Sequence, residues 1–173
     1  MDLEDRCRAI ELILSDVDGV LTDGGIILDN QGIESKRFYV RDGLAVKLWQ
    51  KAGYRVGLLT QRSSQGLKVR AAELGIDILR QGIPDKVSAF KQVLGELRLA
   101  PPQVCYLGDD LPDLPLIRMV GLGVAVADAC AELRQAAHYV TAVPGGAGAL
   151  RETVEMVLRT QSRWDDVIQP YLR

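Results

Sequence analysis

Cysteine and aromatic residues are both scarce in this sequence. Phe, Trp and Tyr together make up 5% of the 173 residues, and there are three cysteines. The cysteines, Cys7, Cys105 and Cys130, lie far apart and form no Cys-x-x-Cys pair. This spacing excludes a disulfide framework and a cysteine metal cluster. We therefore expect free thiols in a reducing compartment, with the cytoplasm as the default location.

Long apolar runs and an excess of one charge are also absent. No segment approaches the roughly 18 consecutive apolar residues of a membrane span, and no signal-type apolar stretch follows the first residues. The 21 basic and 23 acidic residues give a net charge of −2. We expect no membrane partner and no nucleic-acid partner, because nucleic-acid binding needs a clustered basic excess. Affinity for an anion must come from locally placed Lys and Arg.

The remaining composition is that of an ordinary globular protein. Hydrophobic residues make up 47% of the chain and charged residues 25%. A chain of this length fits one domain and can bury a sizeable core. Because no internal repeat or low-complexity tract divides the sequence, we predict a single domain over residues 1–173.

Short apolar runs alternate with amphipathic stretches along the chain. The runs predicted as strands are residues 10–14, 54–59, 76–79, 104–107, 121–126 and 138–140. The stretches predicted as helices are residues 42–53, 63–75, 84–97, 131–136 and 149–160. This alternation predicts an α/β fold, a three-layer Rossmann-like parallel sheet with helices on both faces. The tail, residues 161–173, is less regular, and Trp164, Ile168 and Tyr171 indicate that it docks.

Two short alternating runs follow the first predicted strand. Residues 25–28 and 33–40 flank the turn-forming sequence Asp29-Asn30-Gln31-Gly32. A β-hairpin is therefore predicted over residues 25–40, inserted after the first strand. Asp42 is predicted to cap the helix that follows.

Polar side chains follow the ends of three predicted strands, and a lysine begins a helix. They are Asp16, Asp18, Thr60, Asp109, Asp110 and Lys86. Ligands of an open α/β sheet bind beyond the carboxyl ends of its strands. Taken one at a time, these residues would be turn residues, a helix cap and a surface charge. Their joint order along the chain favours one site.

This set of groups suits phosphoryl transfer. Clustered carboxylates repel one another unless a cation compensates them, and their hard oxygens suit Mg²⁺ as the cofactor. One carboxylate can attack phosphorus to form an acyl phosphate, while a second protonates the leaving oxygen and later activates water. Thr60 and Lys86 would supply a hydrogen bond and a positive charge to the transferred group.

Four segments resemble the motifs of the haloacid dehalogenase-like hydrolases. Residues 16–24, Asp-Val-Asp-Gly-Val-Leu-Thr-Asp-Gly, resemble the first motif. Thr60, Lys86 and residues 108–113, Gly-Asp-Asp-Leu-Pro-Asp, look like the second, third and fourth. The resemblance implies a parallel sheet of this superfamily with the catalytic groups at its carboxyl edge.

The resemblance also implies a role for each carboxylate. Asp16 would be the nucleophile and Asp18 the general acid/base. Mg²⁺ would be held by Asp16, the backbone carbonyl of Asp18, and Asp109. Asp110 and Asp113 would be supporting residues that orient the lysine or metal-bound water.

From residue 10 to about residue 159 the chain resembles the 3-deoxy-D-manno-octulosonate 8-phosphate phosphatase family. Residues 38–43 (Phe-Tyr-Val-Arg-Asp-Gly), 81–86 and 145–152 carry this likeness. It implies hydrolysis of a small phosphorylated sugar acid through an aspartyl-phosphate intermediate, in lipopolysaccharide biosynthesis. The implied substrate-binding residues are Asp18, Tyr39, Val40, Arg41, Asp42, Gly43, Lys47, Arg62, Arg70 and Lys86.

The second motif departs from the family pattern. It reads Thr60-Gln61-Arg62, where the family has glycine at the middle position. Arg62 favours an octulosonate substrate, since relatives acting on nine-carbon sialic-acid phosphates tend to have Glu there. Two alternatives stay open: an N-acylneuraminate or ketodeoxynononate 9-phosphate phosphatase, and a non-catalytic receiver-like module. A receiver places its acidic pair after the first strand and accepts phosphate after an interior one, unlike the order found here.

No cap domain is expected over the site. The hairpin and one helix fill the interval between Asp18 and Thr60, which leaves no room for a domain of about 50 residues or more. The family resemblance implies a homotetramer in which a neighbour's hairpin or tail borders each site. We therefore expect the lid to come from another subunit.

Overall fold

A computed structural model describes all residues, 1–173, and has a parallel sheet at its centre. The strands, in chain order, are β1 (Leu12–Ser15), β2 (Ile27–Leu28), β3 (Glu34–Ser35), β4 (Arg55–Leu59), β5 (Ile78–Arg80), β6 (Val104–Gly108), β7 (Leu122–Ala125) and β8 (Tyr139–Val140). Six of them form the sheet in the order β5-β4-β1-β6-β7-β8. Every neighbouring pair in this sheet is parallel.

Helices flank the sheet in two groups. The helices are α1 (Leu3–Arg8), α2 (Val40–Lys51), α3 (Gln65–Leu74), α4 (Lys86–Leu97), α5 (Leu114–Met119), α6 (Ala131–Ala136), α7 (Ala149–Thr160) and α8 (Trp164–Ile168). Helix α7 packs against α1, α2 and α8, whereas α5 packs against α4 and α6. The predicted α/β architecture is therefore confirmed. None of the helices is long and apolar enough to cross a membrane.

The central strands are covered on both faces. Every residue of β1 and of β6 is buried, so their sequences, Leu-Ile-Leu-Ser and Val-Cys-Tyr-Leu-Gly, show no alternation of apolar and polar residues. The three cysteines are free; Cys7 and Cys105 are buried, and Cys130 is half-buried.

Capping side chains fix where the helices beside the sheet's carboxyl edge begin. Ser64 accepts a hydrogen bond from the Leu67 amide and starts α3, which ends at Gly75 with a φ of 69°. Asp85 accepts from the amides of Val87 and Ser88 and starts α4. This cap makes Lys86 the first residue of α4.

The hairpin is present but shorter than predicted. β2 and β3 pair antiparallel over two residues each, across a turn closed by the Asp29 backbone. The run 33–40 is not one strand, because pairing ends at Ser35 and helix α2 begins at Val40. A two-stranded ribbon with no sheet behind it has little to stabilise further pairing. The hairpin, α2 and β4 are the only elements between Asp18 and Thr60, so no cap domain is present.

The predicted cap at Asp42 is wrong. Helix α2 starts at Val40, so Asp42 lies within its first turn, and its Oδ1 accepts the Arg151 amide at 2.8 Å. Asp42 thus satisfies an amide in the first turn of α7. This contact spans 109 residues of sequence, which local spacing could not reveal.

Both termini contain helices that the sequence did not predict. Helix α1 is capped by Asp2, and α8 forms within the tail. Trp164 is buried, which confirms that the tail docks, and the guanidinium groups of Arg151 and Arg159 lie over its ring. Tyr171 does not dock, since it is 63% exposed.

Candidate active site

The register of three neighbouring strands brings the predicted site together. Ser15 of β1 pairs with Leu58 of β4 on one side and with Leu107 of β6 on the other. The residues just beyond these ends therefore meet at one edge of the sheet. They line a cleft formed by Asp16, Asp18, Thr60, Gln61, Arg62, Lys86, Asp109, Asp110, Pro112 and Asp113.

Lys86 is the buried cation of this cleft. Its Nζ lies 3.0 Å from Asp16 Oδ2 and 2.6 Å from Asp113 Oδ1, and its side chain is 4% exposed. Burial opposes the charged form, but attraction to both carboxylates prevails and raises the lysine pKa. The ammonium group therefore stays charged beside Asp16.

Asp113 holds the lysine in place. Its Oδ1 also accepts the Tyr106 hydroxyl at 2.6 Å, and its Oδ2 accepts the Asp109 amide at 3.1 Å. Both oxygens of this carboxylate are thus engaged by the protein. Sequence reasoning missed Tyr106, a fully buried β6 residue whose only signal was a polar group within an apolar strand.

The acidic cluster carries more negative charge than Lys86 can compensate. Burial, together with repulsion from Asp113, raises the pKa of Asp16 to about 6. Burial and repulsion from Asp16, Asp113 and Asp110 raise the pKa of Asp109 to about 7. Such a cluster favours a bound cation.

The geometry of the cluster fits a small hard cation. Carboxylate oxygens of Asp16, Asp109 and Asp113 lie within 4.8 Å of one another. Because both oxygens of Asp113 already accept hydrogen bonds, Asp16 and Asp109 are the carboxylates best able to coordinate. In proteins Mg²⁺ is usually bound by one or two carboxylates, and waters and a substrate phosphate supply its other oxygen ligands.

Gly19 allows the loop after β1 to lie against Asp109. Its φ is 89°, and a Cβ built there would lie 2.0 Å from Asp109 Oδ2. Any side chain at this position would displace the carboxylate, and the backbone angle also favours glycine. The glycine of the Asp-x-Asp-Gly sequence is therefore required on steric grounds in this site.

Thr60, Gln61 and Arg62 form one wall of the cleft. The Thr60 hydroxyl accepts the Arg62 amide at 3.2 Å, and Thr60 is almost fully buried. Gln61 does not adopt a positive φ. The glycine expected at this position is therefore not required by the backbone.

Two hairpin residues that sequence reasoning missed contact Asp18 and Arg62 of the cleft. Lys36 Nζ donates to Asp18 Oδ1 and lies 2.9 Å from Glu34 Oε1. Glu34 in turn accepts from Arg62 Nη2. Hydrogen bonds from Lys36 and Arg62 hold the pKa of Glu34 below its usual range. Nothing in the spacing of the hairpin sequence pointed to these ion pairs.

The other residues predicted to bind substrate lie outside this cleft. Tyr39 and Arg41 line a separate open groove beside α7. Asp42, Gly43 and Arg70 line a mostly apolar cavity beside α2 and α3. The Lys47 ammonium donates to the Glu73 carbonyl at 3.3 Å, and Val40 is 75% exposed. One chain therefore assembles the catalytic and metal set but not the whole predicted substrate set.

Replacing Asp42 with asparagine is expected to stabilise the protein above about pH 6. Asp42 is 4% exposed, its Oδ2 is buried without a hydrogen-bond partner, and burial raises its pKa to about 6. The folded state then binds more protons than the unfolded state, so stability falls as pH rises from 3.8 to about 6. A rise of this size corresponds to roughly 3 kcal/mol at most.

The measurement is the midpoint of thermal unfolding for both proteins between pH 4 and pH 8. Asparagine keeps an oxygen for the Arg151 amide and cannot ionise. The Asp42→Asn midpoint should exceed the wild-type midpoint at pH 8, and the difference should vanish near pH 4. A variant that is equally destabilised at both pH values would contradict this explanation.

Comparison with known proteins decides the family. A family model described as haloacid dehalogenase-like hydrolase matches residues 61–148. The 3-deoxy-D-manno-octulosonate 8-phosphate phosphatase of Yersinia pestis is 44% identical over 162 residues, which are 94% of this chain and 87% of that protein. The chain belongs to the 3-deoxy-D-manno-octulosonate 8-phosphate phosphatase family.

Solved structures agree with this assignment. A probable phosphatase from Pseudomonas syringae superposes with a TM-score of 0.97 at 44% identity, covering 99% of this chain and 98% of the other. The Moraxella catarrhalis member of the family was solved with magnesium, phosphate and the sugar acid; its TM-score is 0.95 at 38% identity, covering 97% of both chains. The predictions of this superfamily's fold and of a phosphatase are confirmed.

Proposed function

We propose that this family member hydrolyses 3-deoxy-D-manno-octulosonate 8-phosphate with Mg²⁺, through an aspartyl phosphate on Asp16. The observation that carries the proposal is the placement of Asp16 in a cleft with Lys86 Nζ at 3.0 Å and Asp18, Thr60 and Asp109 around it. Relatives named for this activity, at 44% identity over nearly the whole chain, support the choice of substrate.

The polar residues of the cleft divide the tasks of the proposed reaction. Asp16 attacks phosphorus, while Lys86 and Thr60 stabilise the negative charge on the transferred group. Asp18 gives a proton to the leaving sugar oxygen and then takes one from the water that cleaves the acyl phosphate. Mg²⁺, when bound by Asp16, Asp109 and the Asp18 carbonyl, would neutralise charge on the phosphoryl oxygens.

Arg62 is the proposed selector of the substrate's carboxylate. Its side chain is 45% exposed at the mouth of the cleft, and its Nη1 makes no hydrogen bond within the chain. A guanidinium group with a free N–H edge is suited to a carboxylate. The end of the sugar acid that carries the carboxylate would then be recognised by Arg62.

A panel of phosphate esters with Mg²⁺ tests this function. Purified protein should release phosphate from p-nitrophenyl phosphate, which a receiver-like module would not do. Its kcat/KM should be highest for the octulosonate 8-phosphate, lower for nine-carbon sugar-acid 9-phosphates and lowest for neutral hexose phosphates. A preference for a nine-carbon substrate would move the protein to the alternative specificity.

We further propose that the active species is a homotetramer built partly through the hairpin. The hairpin exposes four apolar residues, Ile26, Ile27, Leu28 and Ile33, which are 51 to 61% exposed. Apolar side chains grouped this way on one element favour a partner surface. Tyr39, Val40, Arg41, Asp42, Gly43, Lys47 and Arg70 remain proposed substrate contacts, made across a subunit boundary.

Replacing Ile26 and Leu28 with aspartate is therefore expected to yield smaller species. Two charges in an apolar contact would be buried without partners, which costs more than the contact gains. Sedimentation velocity should show a shift from tetramer to dimer or monomer, with reduced turnover of the sugar-acid phosphate. The matched control is Val69→Asp on α3, also an exposed apolar residue, which should not change assembly. A fully active wild-type monomer at assay concentration would contradict the proposal.

A further inference from the structure

Lys36, at the end of the hairpin, has a buried side chain that contacts Asp18 of its own chain. Its side chain is 4% exposed, although lysine is rarely buried without a partner. It has two partners, since Nζ donates to Asp18 Oδ1 and lies 2.9 Å from Glu34 Oε1. Burial disfavours its charge, but the hydrogen bonds to the two carboxylates raise its pKa.

The contact with Lys36 makes the two oxygens of Asp18 unequal. Oδ1 is held by the ammonium group, whereas Oδ2 is buried and has no hydrogen-bond partner. Arg62 Nε lies 3.9 Å from Oδ2, beyond hydrogen-bond distance. The carboxylate is thus held through Oδ1, and Oδ2 is the oxygen left without a hydrogen bond.

We propose that Lys36 is a positioning residue for Asp18 and acts within its own chain. This inference rests on the proposed function, in which Asp18 is the general acid. As the bond from Asp16 to phosphorus forms and the bond from phosphorus to the sugar oxygen breaks, the proton on Asp18 Oδ2 passes to that oxygen. Lys36 holds Oδ1, so that the proton is carried by Oδ2, the oxygen that has no hydrogen-bond partner within the chain.

Glu34 links Lys36 to Arg62 in one ion-pair network. It forms an ion pair with Lys36 and accepts a hydrogen bond from Arg62, so the hairpin is tied to the strand-end loop that carries the second motif. The network alternates in sign, two carboxylates with two cations, and needs no further counter-ion. The hairpin therefore has two separate roles, since Ile26 and Leu28, on the other side of its turn, remain exposed for contact with a neighbour.

A comparison of two leaving groups distinguishes the positioning of Asp18 from a purely structural role of Lys36. A sugar alkoxide needs a proton to depart, whereas p-nitrophenolate is stable without one. Because kcat/KM contains only the steps up to departure of the leaving group, it isolates the first proton transfer. Lys36→Met should lower kcat/KM for the sugar-acid phosphate by about tenfold or more, as expected for a lost charged hydrogen bond. The value for p-nitrophenyl phosphate should fall much less.

Two further variants control the comparison. Lys36→Arg keeps a charged donor and should recover a large part of the lost kcat/KM for the sugar-acid phosphate. Arg37→Met, at the adjacent exposed position where the arginine pairs with Asp23, should behave as wild type. Equal loss on both substrates for Lys36→Met would overturn the proposal and indicate a folding role.

Mixed oligomers decide whether Lys36 acts in its own chain. Subunits carrying Asp16→Asn lack the nucleophile but keep Lys36, and subunits carrying Lys36→Met keep the nucleophile. If Lys36 acts within its chain, co-assembly of the two restores no activity on the sugar-acid phosphate. Recovery of activity on mixing would overturn the proposal, because it would show Lys36 supplied from a neighbour. A wild-type protein inactive on both substrates would instead contradict the proposed function itself.

Discussion

Replacing Asp16 with asparagine is expected to abolish turnover while the protein stays folded. Asparagine is a poor nucleophile and a poor metal ligand, so the variant loses both proposed tasks of this carboxylate. Loss of a nucleophile in other enzymes suggests a fall in kcat of at least roughly a thousandfold. The measurement is phosphate release with Mg²⁺ on the sugar-acid phosphate and on p-nitrophenyl phosphate.

The fold should tolerate this change because Asp16 is electrostatically strained. Burial and the nearby Asp113 carboxylate raise its pKa, and Lys86 keeps its 2.6 Å contact with Asp113 when Asp16 is neutral. The thermal midpoint should therefore be unchanged or higher. Asp23→Asn, in the same loop but exposed, serves as the matched control and should retain activity. A folded Asp16→Asn protein with near wild-type rates would contradict the proposed mechanism.

Removing divalent metal is expected to have an effect of similar size. The cleft gathers Asp16, Asp109 and Asp113 against one buried lysine, so the phosphate would meet uncompensated negative charge. Exhaustive chelation should abolish turnover and Mg²⁺ should restore it. Ca²⁺ should inhibit, because it takes more oxygen ligands at longer distances and disturbs the in-line geometry.

Thermal unfolding gives a second readout that does not depend on activity. Mg²⁺ should raise the midpoint of the wild type, since it binds the folded site and relieves carboxylate repulsion. Asp109→Asn should weaken this rise, and Asp110→Asn should weaken it less because Asp110 is exposed. Full activity after chelation, or a wild-type midpoint insensitive to Mg²⁺, would rule out this metal site.

The sequence predicted the sheet and its catalytic edge because those features are set by local patterns. Buried parallel strands are continuous apolar runs, and Asp16, Thr60 and Asp109 each follow one of them. Once the strands are parallel neighbours, the residues after their ends must meet. Helices α6 and α7 were predicted with the bounds that they have, and a stripe of buried apolar residues marks α7.

Contacts between distant segments could not be predicted in the same way. Asp42 was expected to cap its own helix, but it accepts an amide of α7. Tyr106 reads as a core aromatic until Asp113 is seen beside its hydroxyl. Lys36 reads as a surface charge on a hairpin, because its partner Asp18 lies 18 residues earlier. In each case the partner is chosen by packing, which spacing along the chain does not encode.

The hairpin also changes how the missing lid is understood. The family resemblance implies a lid supplied by a neighbouring subunit. In the structure, Lys36 and Glu34 already border the cleft of their own chain. The two arrangements are compatible, since the exposed apolar residues of the hairpin are not those that contact Asp18.

The most direct test of the central claim is to trap phosphate on Asp16. Enzyme mixed with excess sugar-acid phosphate and Mg²⁺ is quenched in acid within one turnover and treated with borohydride, which reduces an aspartyl phosphate to homoserine. In the Asp18→Asn variant the aspartyl phosphate should accumulate, because this variant is impaired in activating the water that cleaves it. Peptide mass spectrometry should find homoserine at position 16 in one or both proteins. The account would be contradicted if the protein releases phosphate but homoserine is found at the position of another carboxylate, or at no position in either protein.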